Sequence, residues 1–523
     1  MRGWLLGALL TVVAVAAALR IFQLGDLPAG LYCDEAALGF NAHTIAHAGV
    51  DEHGNFLPLY FWSFDLAYKN PVFVYAAAVP VRLLGLDEFS VRLTSALFGI
   101  GTVIGIFFLG RALYTPWAGA WAALWLAVCP WHLHFSRIAF ELISFPFLFV
   151  IGVSGLGGCI HGRRTLGRAA FFLGLCLYAY AIATLFVPLF LLGFVVLFLP
   201  DLRRRRREAL GAAVVLLTTV APAAVFHARA PERATRYFRA NAIFQPGVRP
   251  TEAARSFASN YALFFSPSFL LTDGDPIPRH AVAGFGELLP VTLAFAALGT
   301  VAAVARRDRV SALVLWWLVL YPVGPSLMTE SPSASRGIIG APVFCLLAGL
   351  GVHACLRLLA RLAPWRSVRL LLQGAVVAAI LCVVQDQARR YVSAYFFDYP
   401  TYAAATYKGF QYGYRDVIRY MDTQRDAYDR LLLTITEANQ PLVFPVFYRA
   451  PDPHTWLATR DSGYSLFDPV VFDPEDPEAG RVLAALHPSD LAYYRDYTIK
   501  KTIVAPGDQT EFVIAELRHR EAP

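Results

Sequence analysis

The sequence predicts a mainly α-helical, polytopic membrane protein with a small α/β domain at its C-terminal end. Hydrophobic residues make up 57% of the 523-residue chain and the mean hydropathy is +0.49, whereas a soluble domain is about 45–50% apolar. Apolar stretches of membrane-spanning length recur up to residue 385. The tail that follows is polar, rich in Tyr, Asp and Pro, and contains short β-like runs such as 431–436.

About eleven apolar stretches are long enough, with some flanking sequence, to cross about 30 Å of hydrocarbon as helices. They lie near 4–22, 89–110, 116–131, 142–160, 169–183, 185–200, 209–227, 288–305, 311–328, 337–358 and 367–385. A further stretch, 71–86, is shorter, is interrupted by Pro80 and contains Arg82. Whether this stretch crosses decides the side on which every later loop lies.

The arginine clusters indicate the orientation. If 71–86 does not cross and the N-terminus is cytoplasmic, all clusters fall in cytoplasmic loops, as the positive-inside bias favours; if 71–86 crosses, all of them move outside. The clusters are Arg111, Arg163, Arg164, Arg168, the run 203–207, Arg306, Arg307, Arg309, Arg357, Arg361, Arg366 and Arg369. We therefore predict about eleven crossings in the inner (cytoplasmic) membrane, with 71–86 as a juxtamembrane or re-entrant helix on the outer face.

This topology divides the chain into a transmembrane module, 1–388, and an extracytoplasmic C-terminal domain, 389–523. The module has two long outer loops, 23–88 with the juxtamembrane helices and 228–287. The net charge of +7 does not indicate nucleic-acid binding, because the arginines cluster at the ends of the spans. The seven cysteines are scattered without a CxxC motif, which is typical of buried apolar residues rather than of a disulfide framework or a metal site.

The same topology collects polar residues on the outer face. Asp34 and Glu35 lie in the first outer loop, and later segments add cations, histidines and tyrosines: Tyr68, Lys69, Arg92, His132, Arg137, Glu141, Tyr178, Tyr180, Arg279, His280 and Arg336. Ionisable groups near the membrane usually face a cavity or a polar ligand, and Lys and Arg bind phosphate well. An acid beside such cations suits sugar transfer from a lipid phosphate, since the acid takes the acceptor proton and the cations stabilise the departing phosphate.

Each of these residues also has a simpler interpretation. Asp34 and Glu35 could be a helix N-terminal pair, and Lys69 and Arg92 could extend to lipid headgroups. Arg137 and Glu141 could be an i, i+4 ion pair on one helix face. His132 fits interfacial structure, Tyr178 and Tyr180 fit the aromatic belt, and Arg279, His280 and Arg336 fit headgroup or structural contacts. We predict no resident metal; a divalent cation on Asp34, Glu35 and the histidines is the less favoured alternative, because no zinc-type spacing is present.

The ordered set of motifs resembles the GT-C superfamily of integral-membrane glycosyltransferases. More narrowly, it is similar to the bacterial lipid-carrier-dependent group that includes protein O-mannosyltransferases and the aminoarabinose transferase of lipid A. The similarity covers roughly 1–350. The matching residues are Asp34-Glu35-Ala36, Gly39-Phe40, Tyr68-Lys69-Asn70-Pro71, Gly85 with 89–96, Pro130-Trp131-His132, Ser136-Arg137, Glu141, Tyr178, Tyr180, Pro188, Ser266-Pro267, Gly274-Asp275, Arg279-His280 and Gly286.

The resemblance implies an inverting transfer on the outer face, from a polyprenyl-phosphate sugar donor to a lipid, glycan or protein acceptor. It implies Asp34 as the catalytic base, supported by Glu35, and places Lys69 and Arg92 on the donor phosphate. Arg137, Arg279, His280 and Arg336 complete the expected phosphate-binding set, and Tyr68, His132, Glu141, Tyr178 and Tyr180 are expected to contact substrate. Thr184 and Ser333 depart from the family pattern, in which Arg and His are common at these places.

Two other functions stay open. A transporter or flippase of lipid-linked sugars would place charged sites near the bilayer midplane and often shows inverted repeats with broken helices, whereas here the charges lie at outer span ends and we find no repeat. A non-catalytic scaffold for the C-terminal domain would not need the cationic cluster.

Overall fold

The computed structural model describes residues 3–64, 67–160, 162–363, 365–404, 409–460, 468–469 and 480–517. The helices are α1 Gly3–Ile21, α2 Cys33–Ala48, α3 Pro71–Leu84, α4 Glu88–Leu113, α5 Pro116–Ala127, α6 Pro130–Phe135, α7 Ser144–Ile160, α8 Leu166–Leu175, α9 Ala183–Arg204, α10 Arg206–Arg229, α11 Pro231–Asn241, α12 Pro250–Leu263, α13 Pro290–Arg306, α14 Arg309–Leu320, α15 Ala334–Gly337, α16 Gly340–Leu362, α17 Arg366–Ser393, α18 Tyr399–Ala404, α19 Tyr414–Thr423, α20 Val443–Arg449 and α21 Pro453–Thr459. The strands are β1 Phe61–Ser63, β2 Ala67–Lys69, β3 Arg430–Leu433, β4 Asp468–Pro469, β5 Val482–Leu486, β6 Tyr497–Val504 and β7 Thr510–Leu517.

Within the described ranges, eight helical segments are long and apolar enough to cross a membrane, so a multi-pass membrane protein is confirmed. Three of the expected crossings, 116–131, 169–183 and 288–305, correspond instead to the shorter helices α5, α8 and α13. The count of eleven therefore stays a prediction. Stretch 71–86 forms α3, whose 14 residues span about 21 Å.

Two of the short helices nevertheless pack tightly inside the bundle. A Cβ atom added to Gly299 of α13 would lie 1.8 Å from the Leu347 carbonyl oxygen of α16, and one added to Gly349 of α16 would lie 2.3 Å from the Ala118 carbonyl oxygen of α5. Small residues allow such backbone contact between membrane helices. α5 and α13 are therefore integral parts of the helical bundle.

Several arginine clusters meet at one end of this bundle. Arg205 donates to the carbonyl oxygens of Gly162 and Arg163 in the α7–α8 turn, Arg309 pairs with Asp201 of α9 at 2.5 Å, and Arg306 lies over the Tyr114 ring that follows α4. The turns 114–115, 162–165, 201–205 and 306–309 therefore lie at one end of the bundle.

The C-terminal domain is confirmed as a small α/β unit. Its sheet has the strand order β4-β3-β5-β7-β6, with β3 parallel to β4 and β5, and β7 antiparallel to β5 and β6. Part of the expected domain, 405–408, 461–467, 470–479 and 518–523, lies outside the described residues. Helix α17 continues through the boundary that we placed at 388.

This domain packs on α2, where the Trp456 ring meets the Phe40 ring with centroids 5.3 Å apart, and on the segments next to it. The Trp456 indole N–H donates to the Glu52 carbonyl oxygen at 2.9 Å, and the Tyr448 hydroxyl donates to Glu88 Oε1 at 2.8 Å. An antiparallel bridge joins Leu31 to Gln411. The first loop thus lies between the helical bundle and the C-terminal domain, and this places the two acids of α2 at their junction.

Candidate active site

Helix α2 begins with the two acids that the sequence singles out. Tyr32 is the N-cap residue, and its backbone N–H donates to Glu35 Oε2 at 3.0 Å, which fixes the first turn. Adjacent residues of a helix point about 100° apart. Asp34 and Glu35 therefore enter different surroundings although they are neighbours in the chain.

Asp34 forms an ion pair with Lys69. The Lys69 ammonium donates to Asp34 Oδ1 at 2.5 Å, and the side chains are 37% exposed for Asp34 and 19% for Lys69. The β1–β2 hairpin, in which Phe61 is opposite Lys69, brings the lysine to this place. Burial raises the pKa of the Asp34 carboxyl, but the Lys69 ammonium outweighs it, with help from Arg279 and His280, and holds the pKa below its usual value.

Glu141 is a second carboxylate near Lys69. It accepts from the Asn70 backbone N–H at 2.7 Å and from the Asn70 side-chain amide at 2.6 Å. Burial opposes the charged form of Lys69, yet Asp34 and then Glu141 raise the pKa of the ammonium above its ordinary value. Lys69 is therefore a fully charged cation held between two acids. Glu141 also anchors the start of α3, where Asn70 is the N-cap.

Glu35 and Arg92 form a second pair, and both side chains are completely buried. Arg92 Nε donates to Glu35 Oε1 at 2.9 Å and Nη2 donates to Glu35 Oε2 at 3.2 Å. The remaining donors of Arg92 bind the carbonyl oxygens of Leu24, Pro28 and Gly30, and Glu35 also accepts from the backbone N–H groups of Tyr32 and Ala139. A guanidinium has five N–H donors, and all of them are used here. The expected phosphate role of Arg92 does not fit this arrangement, which instead fastens the loop before α2 to α4.

The loop between α12 and α13 supplies Arg279 and His280. Arg279 lies over the Tyr32 ring, with its guanidinium carbon 4.2 Å from the centroid. His280 Nδ1 is 3.2 Å from Asp275 Oδ2. Burial lowers the pKa of His280 and Asp275 only partly offsets this effect, so the imidazole is neutral near pH 7. Because a carboxylate can only accept, Nδ1 carries the proton and Nε2 presents a lone pair.

Asp275 also ties this loop to Arg336. The same carboxylate oxygen that meets His280 accepts from the Ala334 backbone N–H at 2.6 Å, two residues before Arg336. Arg336 Nη1 donates to the Glu330 carbonyl oxygen at 2.9 Å, and its side chain is only 10% exposed. Arg336 is electrostatically coupled to His280, just as Arg279 and His280 are to Asp34. Arg279 and His280 therefore act on Asp34 directly, whereas Arg336 acts on His280.

Two expected site residues have structural partners instead. Arg137 donates to the carbonyl oxygen of Leu19 in the last turn of α1 and to those of Gln23 and Leu27 beyond it, and its guanidinium lies near the rings of Tyr395 and Phe396. His132 is completely buried and its Nδ1 accepts from Arg20 Nη2 at 3.1 Å. Arg137 therefore binds the end of α1, and His132 binds Arg20, which itself donates to the carbonyl oxygens of Leu126 and Ala127 at the end of α5. The expected phosphate contact of Arg137 and the expected substrate contact of His132 do not fit this geometry.

The expected tyrosines lie in another cluster. The Tyr178 hydroxyl donates to the Thr219 carbonyl oxygen at 2.6 Å and accepts from the Ala223 N–H at 3.1 Å, so it is inserted into the hydrogen-bond ladder of α10. The Tyr68 ring packs against Phe226, with centroids 4.9 Å apart. Tyr180 is partly buried against the core. Tyr178 thus has a structural role in α10, and Tyr68 connects that helix to the strand of Lys69.

The structure adds Tyr32, Asn70 and Asp275 to the candidate site. Asn70 and Asp275 belong to the motifs Tyr68-Lys69-Asn70-Pro71 and Gly274-Asp275 that the sequence had marked, and Tyr32 lies two residues before Asp34. Across the described ranges, no group of three or more His, Cys, Asp or Glu side chains is arranged to hold a metal ion.

Comparisons with known proteins agree on the architecture. Residues 68–226 match the family model described as dolichyl-phosphate-mannose-protein mannosyltransferase. ArnT from Cupriavidus metallidurans bound to undecaprenyl phosphate superposes with a TM-score of 0.59 at 15% identity, covering 97% of this chain and 98% of that chain. The chain has the GT-C fold. The GT-C resemblance expected from the sequence is confirmed.

A second solved structure extends the comparison. The archaeal oligosaccharyltransferase AglB from Archaeoglobus fulgidus, in complex with an inhibitory peptide and a dolichol-phosphate, superposes with a TM-score of 0.51 at 12% identity, covering 100% of this chain and 75% of that chain. No curated protein matches the sequence significantly. At these identities the structural likeness shows the GT-C fold, and the chemistry has to be argued from the residues of this chain.

Proposed function

We propose that this protein is an inverting membrane glycosyltransferase that moves a sugar from a polyprenyl-phosphate donor to an acceptor on the extracytoplasmic face. The observation that supports it most is the Asp34–Lys69 pair, a partly exposed carboxylate and a charged ammonium 2.5 Å apart at the junction of bundle and C-terminal domain. The solved ArnT and AglB structures, bound to undecaprenyl phosphate and dolichol-phosphate, share this fold. A polyprenyl phosphate is therefore the donor class that we assign here.

In the proposed reaction, Lys69 first binds the donor phosphate. Phosphate competes with Asp34 for the ammonium, because a second anion at Lys69 weakens the 2.5 Å pair. The competition frees the Asp34 carboxylate and adds negative charge near it, and both effects raise its pKa toward that of a working base. Donor binding thereby prepares the base that the acceptor needs.

The proposed transfer needs only the donor, the acceptor and the side chains of the site. The acceptor oxygen or nitrogen attacks the anomeric carbon from the face opposite the phosphate, and its proton passes to Asp34. The bond between the anomeric carbon and the phosphate oxygen breaks, and the polyprenyl phosphate leaves with the bonding electrons. Lys69, Arg279 and Arg336 stabilise the charge that develops on this leaving group. The sugar inverts its anomeric configuration.

Glu35 and Arg92 support this chemistry only indirectly. Their buried, fully hydrogen-bonded pair holds the first turn of α2 and the preceding loop against α4. Burial lowers the pKa of His280, and a bound phosphate would favour protonation of its Nε2, since a nearby anion raises the pKa of an imidazole. We assign His280 to the phosphate side of the site on that basis.

The arginine clusters at the end of the bundle marked by the turns 162–165 and 306–309 support the orientation that we propose. Positive charge at one end favours the cytoplasmic side. The first loop, the site and the C-terminal domain then face the extracytoplasmic side of the inner membrane.

The experiment compares glycans and glycolipids, by mass spectrometry, from cells with and without the gene. Loss of one sugar from a lipid, glycan or protein supports the proposal and identifies the acceptor. Purified protein in liposomes with polyprenyl-phosphate-linked sugars gives the second test. Movement of the donor across the bilayer without any transfer would contradict the proposal and favour a flippase.

A further inference from the structure

Tyr32 lies at the centre of the candidate site. Its side chain is 7% exposed, and one face of its ring meets the Arg279 guanidinium 4.2 Å from the centroid. At this distance the interaction between a cation and an aromatic face is favourable. The ring also makes an edge contact with Phe140, with centroids 6.0 Å apart.

The position of the ring is fixed from two sides. Within the bundle, the Tyr32 backbone N–H donates to Glu35, which is itself held by Arg92. From the C-terminal domain, the Asn439 side-chain amide donates to the Tyr32 hydroxyl at 2.9 Å. Asn439 is the point where the C-terminal domain reaches the ring that supports Arg279.

The loop that contains Asn439 is itself held in a defined shape. The Gln411 side-chain amide donates to the Asn439 carbonyl oxygen at 2.9 Å. Glu437 and Gln440 have φ angles of +51° and +52°, a left-handed conformation that non-glycine residues adopt rarely. Such backbone persists where surrounding contacts require it. Gln411 and the local backbone conformation thus hold Asn439 towards Tyr32.

We propose that Tyr32 is a positioning residue whose ring holds the Arg279 guanidinium for the donor phosphate, and that Asn439 of the C-terminal domain fixes this ring. The inference rests on the proposed function and makes the C-terminal domain a working part of the donor site. Asn439 lies beyond 1–350, the region that carries the family resemblance. Donor use therefore depends on a residue outside the conventional motifs of the chain.

The test is a double-mutant cycle in the full-length protein. Tyr32→Phe removes the hydroxyl and keeps the ring, and Asn439→Ala removes its partner. We expect each to raise the donor KM about 2–10-fold, the effect of one hydrogen bond, with kcat within about twofold. The double variant should be no worse than either single one, because both changes break the same bond.

Tyr32→Leu should have a larger effect, raising the donor KM about 10–30-fold, because it also removes the aromatic face under Arg279. Tyr493→Phe is the matched control, since it removes the same hydroxyl from a side chain of the C-terminal domain that is 81% exposed. It should leave kcat and KM unchanged. Thermal unfolding of each variant shows that the folded protein is being compared.

The inference would be overturned if the effects of Tyr32→Phe and Asn439→Ala on the donor KM multiplied in the double variant. A loss confined to kcat, or a lower melting temperature with an unchanged donor KM, would also overturn it. Binding of undecaprenyl phosphate, compared with the uncharged undecaprenol, separates this inference from the proposed function. If the wild type binds the phosphate but transfers no sugar, the proposed function fails, and weaker phosphate binding by Tyr32→Leu still supports the positioning role. If the wild type transfers sugar and all variants match it, the positioning role alone fails.

Discussion

Asp34 and Glu35 are adjacent acids in the first turn of one helix, each paired with one cation, yet the two pairs differ in every other respect. The Glu35–Arg92 pair is fully buried, and backbone carbonyl and N–H groups satisfy the remaining hydrogen-bond donors of Arg92 and acceptors of Glu35. The Asp34–Lys69 pair is 37% and 19% exposed and stands among other titratable groups. Accessibility and remaining hydrogen-bonding capacity, rather than charge, distinguish an acid that can act on a substrate from one that holds the fold.

The largest difference is expected from the two amide substitutions that leave side-chain shape unchanged. Asp34→Asn should lower kcat about 100- to 10,000-fold, because it removes the base and keeps the packing. The melting temperature should stay near that of the wild type. Radiolabelled sugar transfer and thermal unfolding of the same preparation measure both. Full activity in Asp34→Asn would make the assignment of the base wrong.

Glu35→Gln should have the opposite signature. Removing one partner of a buried, hydrogen-bonded ion pair costs about 3–5 kcal/mol, because the other charge stays buried. We expect a lower melting temperature and less folded protein, with kcat per folded molecule reduced far less than in Asp34→Asn. Equal loss of kcat in both variants at unchanged stability would remove the distinction between the pairs.

Lys69→Met tests the accessible cation. It removes the ammonium that binds the donor phosphate, so the donor KM should rise about 10- to 100-fold while the protein folds normally. Arg92→Met is the comparison variant, and its main effect should be on stability. A larger effect of Arg92→Met than of Lys69→Met on the donor KM would reverse the roles that we assign.

The pH dependence follows from the same pair. Because the pKa of Asp34 lies below its usual value of about 3.9, Asp34 is ionised throughout and should give kcat/KM no acid limb between about pH 5 and 8. In Lys69→Met, no ammonium offsets the effect of burial, so the pKa of Asp34 should rise. The residual activity should then fall as the pH drops within that range. Rate profiles of both proteins at saturating acceptor measure the shift; an unchanged profile would contradict it.

The smallest effect is expected from Asp275→Asn. The amide can still accept from the Ala334 N–H, but it no longer favours a charged imidazole at His280. We expect kcat/KM for the donor to fall about 3- to 10-fold, with the loss greatest above pH 7, where His280 protonates least. His280→Gln should give a similar loss, and combining the two should add little. Additive losses would show that the two residues act separately.

Much of this could be predicted from the sequence. Hydrophobic length predicted the multi-pass bundle, and the ordered motifs predicted the GT-C fold and the acid at α2; the orientation that the arginines indicate stays a prediction. The roles of the arginines could not be predicted, because Arg92 and Arg137 look like phosphate ligands until their carbonyl partners are seen. The short lengths of α5, α8 and α13 could not be predicted from hydropathy. Glycine contacts, rather than length, place α5 and α13 in the bundle. Asn439 gave no signal at all, because its partner Tyr32 is about four hundred residues away in the chain.

The most direct measurement is a density map of the full-length protein with a polyprenyl phosphate bound. We predict phosphate oxygens within hydrogen-bonding distance of Lys69 Nζ, a lengthened distance from Lys69 to Asp34, and an Arg92–Glu35 pair unchanged at 2.9 Å. A phosphate bound by Arg92, or one that leaves the 2.5 Å Lys69–Asp34 pair intact, would contradict the central claim that the accessible pair performs the chemistry and the buried pair holds the fold.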